Sequence, residues 1–398
     1  QAIEDQYPEM VEVRRHLHCC PEPSGEELKT SMYVYQRLLD QGLPVHQGPE
    51  GLGVIVDSAA SESGVGRIAL RADMDALRIQ DAKEVEYKSQ EPGVMHACGH
   101  DCHTATLFGT LSALHVLEKS GALPWPVPWR GIFQPAEETS QGALLMIQAG
   151  ALEDVEGIFA LHVDPTRPVG QIGWRAGPLT ANCDDMRMEI IGRGGHAARP
   201  HESLDPIAAA AQLISSMYLF VPRAVDSQDA VVVTIGQVIA GDNPNVIPET
   251  VSLRGTLRTL RPSVREQTMN HIRQLAHGIA HASSTDIQVE FHAGPQSVCN
   301  DPEMTEFLRR SADDLLGEKN LEHLPRTSMG GEDFSHYLSH VPGSMFRLGC
   351  ASESKGGALL HSPLFDVDEQ AMKVGAKILA RAVILWADPA RRETKEQS

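Results

Sequence analysis

The stretch Met95-His96-Ala97-Cys98-Gly99-His100-Asp101-Cys102-His103 decides how the chain is read. It sets a thiolate donor, three imidazoles and a carboxylate in a glycine turn, just ahead of an apolar helix expected over 104–119. Thiolate, imidazole and carboxylate together form the ligand set of zinc and its first-row neighbours. Buried without a cation to neutralise them, such groups would be costly. Read alone, the stretch could be a polar loop with incidental histidines. Other stretches, however, supply the ligands it lacks.

Working outward, strands are expected at 53–57 and 67–71, the second running into Ala72-Asp73-Met74-Asp75. After the helix at 104–119 comes Arg130-Gly131-Ile132-Phe133, ending in Gln134-Pro135-Ala136-Glu137-Glu138. A further strand, Gly157-Ile158-Phe159-Ala160-Leu161, is expected to end at His162. Before all of these, 9–43 reads as helix, broken at Pro21-Glu22-Pro23-Ser24-Gly25. Strands alternating with helices predict an α/β fold with a mainly parallel sheet, and such sheets place chemistry beyond the carboxyl ends of their strands. Asp73, Asp75, Glu137, Glu138 and His162 all fall at expected strand ends.

From about Asp184 the pattern changes. Strands at 186–191, 230–240, 249–259 and 287–292 are interleaved with helices at 205–220 and 263–282. The second helix is expected to be capped by Ser263 with Glu266. The order β-α-β-β-α-β predicts a two-layer lid or dimerisation domain over 184–294, inserted into a discontinuous catalytic domain formed by 1–183 and 295–398. A long helix at 369–386 and a charged, disordered tail at 391–398 are expected to close the chain.

A length of 398 residues favours two domains. Hydrophobic content of 41% with 22% charged residues is that of a soluble globular protein. A formal charge of −19 argues against nucleic acid or an anionic membrane as partner, and means that an anionic substrate needs locally placed arginines. No apolar run approaches the roughly 20 residues of a membrane span. Seven irregularly spaced cysteines suit a reducing compartment, so a cytoplasmic location is expected. The acidic start at Gln1 has no signal-peptide core, and beginning without Met suggests that residues ahead of it were trimmed.

Metal-assisted amide hydrolysis needs fixed ligands for the cations and a water lowered toward pKa ~7. It also needs a carboxylate to take that water's proton and a positive group to meet the developing oxyanion. Glu137-Glu138 offers adjacent carboxylates that can divide these roles. An acidic pair in a loop is more often a solvated face, but this one follows a buried strand and a proline. A lone His162 or His361, in Leu360-His361-Ser362-Pro363, would more often be a satisfied core residue.

In combination the motifs resemble the M20 family of metallopeptidases, in its amidohydrolase branch of aminoacylases, hippurate hydrolases and auxin-conjugate hydrolases. The resemblance rests on Leu70-Arg71-Ala72-Asp73-Met74-Asp75-Ala76-Leu77, the stretch from Met95, Phe133-Gln134-Pro135-Ala136-Glu137-Glu138, and Gly194-Gly195-His196-Ala197-Ala198-Arg199-Pro200-His201. Leu161-His162-Val163, Asn243-Pro244-Asn245-Val246-Ile247-Pro248, Gly330-Gly331-Glu332-Asp333-Phe334 and the opening Arg14-Arg15-His16-Leu17-His18 fit the same branch.

The resemblance implies two divalent ions per subunit, zinc or else manganese, cobalt or nickel, bridged by Cys98. His100 and His162 would complete one site, Glu138 and His361 the other. Glu137 matches the general base, and Asp75 the carboxylate that orients a histidine ligand, expected to be His100. His196 matches a lid histidine that in dimeric members reaches the partner's active site and contacts the reacting carbonyl. Asn245 and Arg258 match positions that hold the substrate's free carboxylate, a task suited to a two-pronged guanidinium. Asp73 is not expected to be a ligand, and His96, Cys102, His103 and the Cys19-Cys20 pair match no role.

The function implied is hydrolysis of N-acyl amino acids by a homodimer joined through its lid. Rivals are a dipeptidase or carboxypeptidase using the same site, thiol catalysis with Cys98 as nucleophile, and a catalytically silent metal-dependent binding protein.

Overall fold

The computed structural model describes residues 1–59, 66–353, 355 and 357–391. The tail expected at 391–398 lies, beyond Arg391, outside these residues. The described chain divides into two units, Gln1–Gly177 with Val298–Arg326 and Asp333–Ser398, and Pro178–Ser297 with Thr327–Glu332.

In the first unit the strand Arg67–Asp73 is buried on both faces almost throughout, the pattern of a central parallel strand. It pairs in parallel with Trp129–Gln134 on one side and Val155–Pro168 on the other. The full order is Val45–Gln47, Val54–Asp57, Trp129–Gln134, Arg67–Asp73, Val155–Pro168, Gly343–Ala351, Ile172–Trp174 and Leu321–His323. Antiparallel pairing occurs where the first three strands meet and between Gly343–Ala351 and Ile172–Trp174. The fold is therefore α/β with a mainly parallel central sheet, as the alternation of elements predicts. The helices Ala2–Cys19, His100–Lys119, Gln370–Trp386 and Pro302–Leu316 pack in succession against one another.

Two local expectations are corrected. The helix expected from Thr104 begins at His100, because Gly99 takes φ 91° and turns the chain into it directly. A Cβ at Gly99 would lie 2.5 Å from a methyl of Val163, so only glycine fits. His100, Asp101, Cys102 and His103 thus belong to the first turn of a buried helix. His162 does not end its strand, which continues to Pro168. Pairing with Arg67–Asp73 stops at Ala160, while pairing with Gly343–Ala351 carries the strand onward. His162 therefore stands two residues past the last pairing with one neighbour and directly beside the other.

The second unit is built on an antiparallel sheet in the order Val231–Ala240, Thr250–Thr259, Asn182–Ile191, Asp286–Ala293. Its core joins Met186, Met188 and Ile190 of the sheet to Leu213, Met217 and Val221 of Pro206–Ala224 and to Ile272 and Ala276 of Pro262–Ser283. Asp205 caps the first helix, its carboxylate accepting from the N–H groups of Ile207 and Ala208. The expected Ser263 cap is not formed. Pro262 occupies the first helical position, which shifts the N-cap to Arg261 with no side-chain cap bond. Pro206–Ala224 is also long and apolar enough to cross a membrane by length and composition, contrary to the expectation that no apolar run approaches that length. One of its faces is spent on the sheet.

Candidate metal centre

Four segments of the first unit bring candidate donor atoms together. They are the turn of Cys98 and His100 that opens the helix His100–Lys119, the loop after Trp129–Gln134 with Glu137 and Glu138, the strand Val155–Pro168 with His162, and the loop of His361. The strand Arg67–Asp73 runs into Asp75 beside them. Ala136 is held at φ 52° and His361 at φ 63°, left-handed conformations that ordinary residues adopt at a cost. The His361 N–H donates to the carbonyl of Ala97 at 2.8 Å, which fastens its loop to the Cys98 turn.

The ligand atoms of Cys98, His100 and His162 lie within 4.8 Å of one another, as do those of Cys98, Glu138 and His361. The two triads share Cys98. Sγ of Cys98 is 3.5 Å from Nε2 of His162, and Nε2 of His361 is 3.3 Å from Oε1 of Glu138. Glu137 groups with His100 and Glu138 but enters neither triad. Its Oε1 accepts the Asp333 N–H at 3.4 Å.

Ring orientation is settled by the far nitrogens. Nδ1 of His100 lies 3.0 Å from both the carbonyl oxygen and Oδ1 of Asp75, so it carries the proton. Nε2 is left buried without a hydrogen-bond partner. Nδ1 of His162 donates to the Val163 carbonyl at 2.8 Å, which again turns Nε2 toward Cys98. Asp75 also accepts from Ser24 at 2.6 Å and from the Glu138 N–H at 3.0 Å. These contacts hold its carboxyl below the usual range despite burial.

Burial drives the His162 imidazole well below its ordinary pKa, with Arg347 and His103 acting in the same direction, so the ring is a neutral donor. Burial also pushes the Cys98 thiol up, and Glu138 and Glu137 add to this while His100 opposes it. A thiol so placed ionises only with a strong cation beside it. The donor set and the orphaned Nε2 of His100 fit divalent cations, and they argue against a free thiolate nucleophile.

A buried network unassigned from the sequence lies behind these groups. Nδ1 of His103 meets Asp73 at 2.6 Å, and its Nε2 accepts the Val163 N–H at 2.9 Å. Asp73 pairs with Arg71, which also binds Asp333 and Gln134. The peptide of Val163 is thus pinned from both sides, by His103 at its N–H and by His162 at its carbonyl. Nothing in residue spacing announces this network; the only hint is an unassigned His103 one helical turn from His100. Asp73 also groups with His100 and His103, but its carboxylate is already engaged by Arg71 and His103.

His196, Asn245 and Arg258 belong to the second unit. His196 and Val246 face each other in a short antiparallel pair, and the Ala197 N–H donates to the Asn245 carbonyl at 3.0 Å. Both His196 and Asn245 are exposed. Nδ1 of His196 accepts the Ala198 N–H at 3.1 Å, which leaves Nε2 as the outward donor of the neutral ring. Arg258 is half-buried and donates to the Met329 carbonyl at 2.6 Å.

Comparison with known proteins agrees with the motifs. The profile of peptidase family M20/M25/M40 matches residues 69–385. An N-acetyl-L-cysteine deacetylase of Bacillus subtilis (strain 168) is 38% identical over 365 residues, 92% of this chain and 85% of the relative. A thermostable carboxypeptidase of Saccharolobus solfataricus is 34% identical over 379 residues, 94% of each. The crystal structure of a dinuclear metal binding peptidase of the M20 family from Bacillus subtilis superposes with a TM-score of 0.81 at 32% identity, covering 96% of this chain and 99% of that one. Likeness of that extent in both sequence and fold has one reading: the chain is a hydrolase that belongs to peptidase family M20/M25/M40.

Proposed function

We propose that the protein cleaves the amide bond of N-acyl amino acids with the help of two divalent cations. The observation that carries this reading is the pair of triads sharing Cys98, with the Glu137 carboxylate beside them and committed to neither. Cys98, His100 and His162 would hold one cation; Cys98, Glu138 and His361 would hold the other. Zinc suits the thiolate best, and manganese, cobalt and nickel tolerate the same mixed donors. When bound, the cations supply Lewis acidity, polarising the scissile carbonyl and lowering the pKa of a water toward ~7.

The remaining chemistry belongs to the chain. Glu137 takes the attacking water's proton at its carboxylate and returns it to the leaving amine nitrogen. His196 donates from Nε2 to the carbonyl oxygen as negative charge develops there. Arg258 and Asn245 hold the substrate's α-carboxylate, which answers the need for local positive charge in a chain of net charge −19. The products are a carboxylic acid and a free amino acid.

We further propose that the protein is a homodimer through its second unit. The support is the open edge strand Val231–Ala240, with Val232, Val238 and Ile239 exposed, and the exposed Tyr218, Leu219 and Phe220 of Pro206–Ala224.

The decisive variant is Glu137→Ala in protein stripped and reloaded with one metal at a time. It is expected to keep its metal and lose turnover by about 10²–10⁴-fold; an active variant would refute the role. The carboxypeptidase-like relative keeps a second reading in view, a peptidase acting on the same site. Side-by-side kinetics on acetyl-, benzoyl- and aminoacyl-amino acids separate the two. Thiol catalysis would instead survive a chelator, and Cys98→Ser would then keep its metal content.

A further inference from the structure

The acyl side of the substrate has no motif, but one residue of the first unit bears on it. Arg347 lies on Gly343–Ala351 directly opposite His162 in parallel register, so both side chains leave the same face of the sheet. It is half-buried. Among the described residues its guanidinium has no hydrogen-bond or ion-pair partner. On its other flank the opposing residue is Gly173, which offers no side chain. Its neighbour Arg167 has already taken the nearby carboxylates, binding Asp164 and Glu322.

A guanidinium in this position is costly by itself. It is partly desolvated, and it stands beside a histidine proposed to bind a dication, so among the described residues it meets repulsion and no compensating anion. The cost disappears when an anion arrives with the substrate. The α-carboxylate is assigned to Asn245 and Arg258 in the other unit, so the anion met by Arg347 is a second one.

We infer that the substrates are dianionic N-acyl amino acids whose acyl arm ends in a carboxylate, which Arg347 receives as a specificity-determining residue. This rests on the amidohydrolase reading above. Guanidinium and carboxylate meet through paired parallel hydrogen bonds, geometry that a lysine reproduces only in part.

The test uses the full metal-loaded chain and pairs of substrates that differ by carboxylate against methyl. N-succinyl-L-alanine is compared with N-butyryl-L-alanine, and N-acetyl-L-glutamate with N-acetyl-L-norvaline. Wild type is expected to favour the succinyl over the butyryl substrate by about tenfold or more in kcat/KM, as one charged hydrogen-bonded contact warrants. In Arg347→Met that ratio should fall by about tenfold, and in Arg347→Lys it should be intermediate. A wild-type ratio near one overturns the inference even if the methionine variant fails to fold. So does an unchanged ratio in Arg347→Met, or a preference that appears only in the glutamate pair. Hydrolysis of none of the four overturns the amidohydrolase reading itself, and this inference with it.

Discussion

Oδ1 of Asp75 lies 3.0 Å from Nδ1 of His100, and that contact selects the ring nitrogen that faces the donor cluster. The same carboxylate accepts the Glu138 N–H through Oδ2, so one side chain orients residues of both triads. Asp75→Ala should therefore leave a folded protein whose metal affinity is lower by about 10–100-fold, the usual effect of losing such an orienting partner. Competition with a chelator of known affinity measures this directly. Wild-type affinity in the variant would mean that the carbonyl of Asp75 alone suffices to orient the ring.

Behind His162 the constraint is indirect. His103 holds the Val163 N–H and is itself held by Asp73, all at buried positions. His103→Leu fills much of the space but removes the acceptor for Val163 and one partner of Asp73. Each buried group left unsatisfied costs about 1–3 kcal/mol. We predict a stability loss of that size in metal-free protein, read from the denaturant midpoint. A shift too small to measure would show that water or Arg71 fully replaces the ring.

The sequence made much of this site legible because ligand chemistry is local. Cys98 and His100 sit two residues apart, Glu137 and Glu138 are adjacent, and the alternation of strands and helices predicts a mainly parallel sheet before any contact is seen. What sequence could not show depends on pairings across large separations. The partners of Arg71 lie at Asp73, Gln134 and Asp333, and only the folded sheet brings the last two to it. The true end of the His162 strand likewise depends on Gly343–Ala351, far along the chain. The missed start of the helix at His100 has a local cause, since a left-handed glycine reads as a loop residue until its tight contact with Val163 is known.

Glu27 gives a prediction in pH. It is fully buried, and its Oε1 accepts the Ala136 N–H at 2.7 Å next to Glu137. Burial, reinforced by the nearby Asp75 charge, raises its pKa from 4.5 to about 7. The folded chain therefore keeps a proton that the unfolded chain has released between those values. The contribution of Glu27 to stability is full below pH 4.5, falls as pH rises toward 7, and is flat beyond it. The whole change amounts to about 3 kcal/mol. Glu27→Gln should flatten that slope and exceed wild type in stability above pH 7. Parallel pH profiles of the two metal-free proteins would sink the assignment.

Arg14 joins segments that the chain keeps far apart. Its guanidinium reaches Asp101 at 2.9 Å, Asp366 at 2.6 Å and Glu369 at 3.2 Å, and its side chain is 1% exposed. Asp101 follows His100 directly, and Asp366 and Glu369 lie just beyond His361, so one buried cation from the first helix ties together two segments that carry candidate donors. Burial alone would disfavour this charge, but the surrounding carboxylates hold its pKa well above the ordinary value. Removing it leaves buried carboxylates whose remaining partners, Arg15 at Glu369, Lys355 at Asp366 and the His18 ring at Asp101, offset them only in part. Arg14→Met should cost about 3–5 kcal/mol, the range for breaking a buried ion pair by deleting one partner. Arg14→Lys keeps the charge but not the fork that reaches separate carboxylates, and should recover only part of the loss. Chemical denaturation of metal-free protein measures the stability, and amide exchange at 98–103 and 361–366 reports whether both segments loosen together. Loosening of one segment alone would show that the two are anchored independently, and that Arg14 merely packs between them.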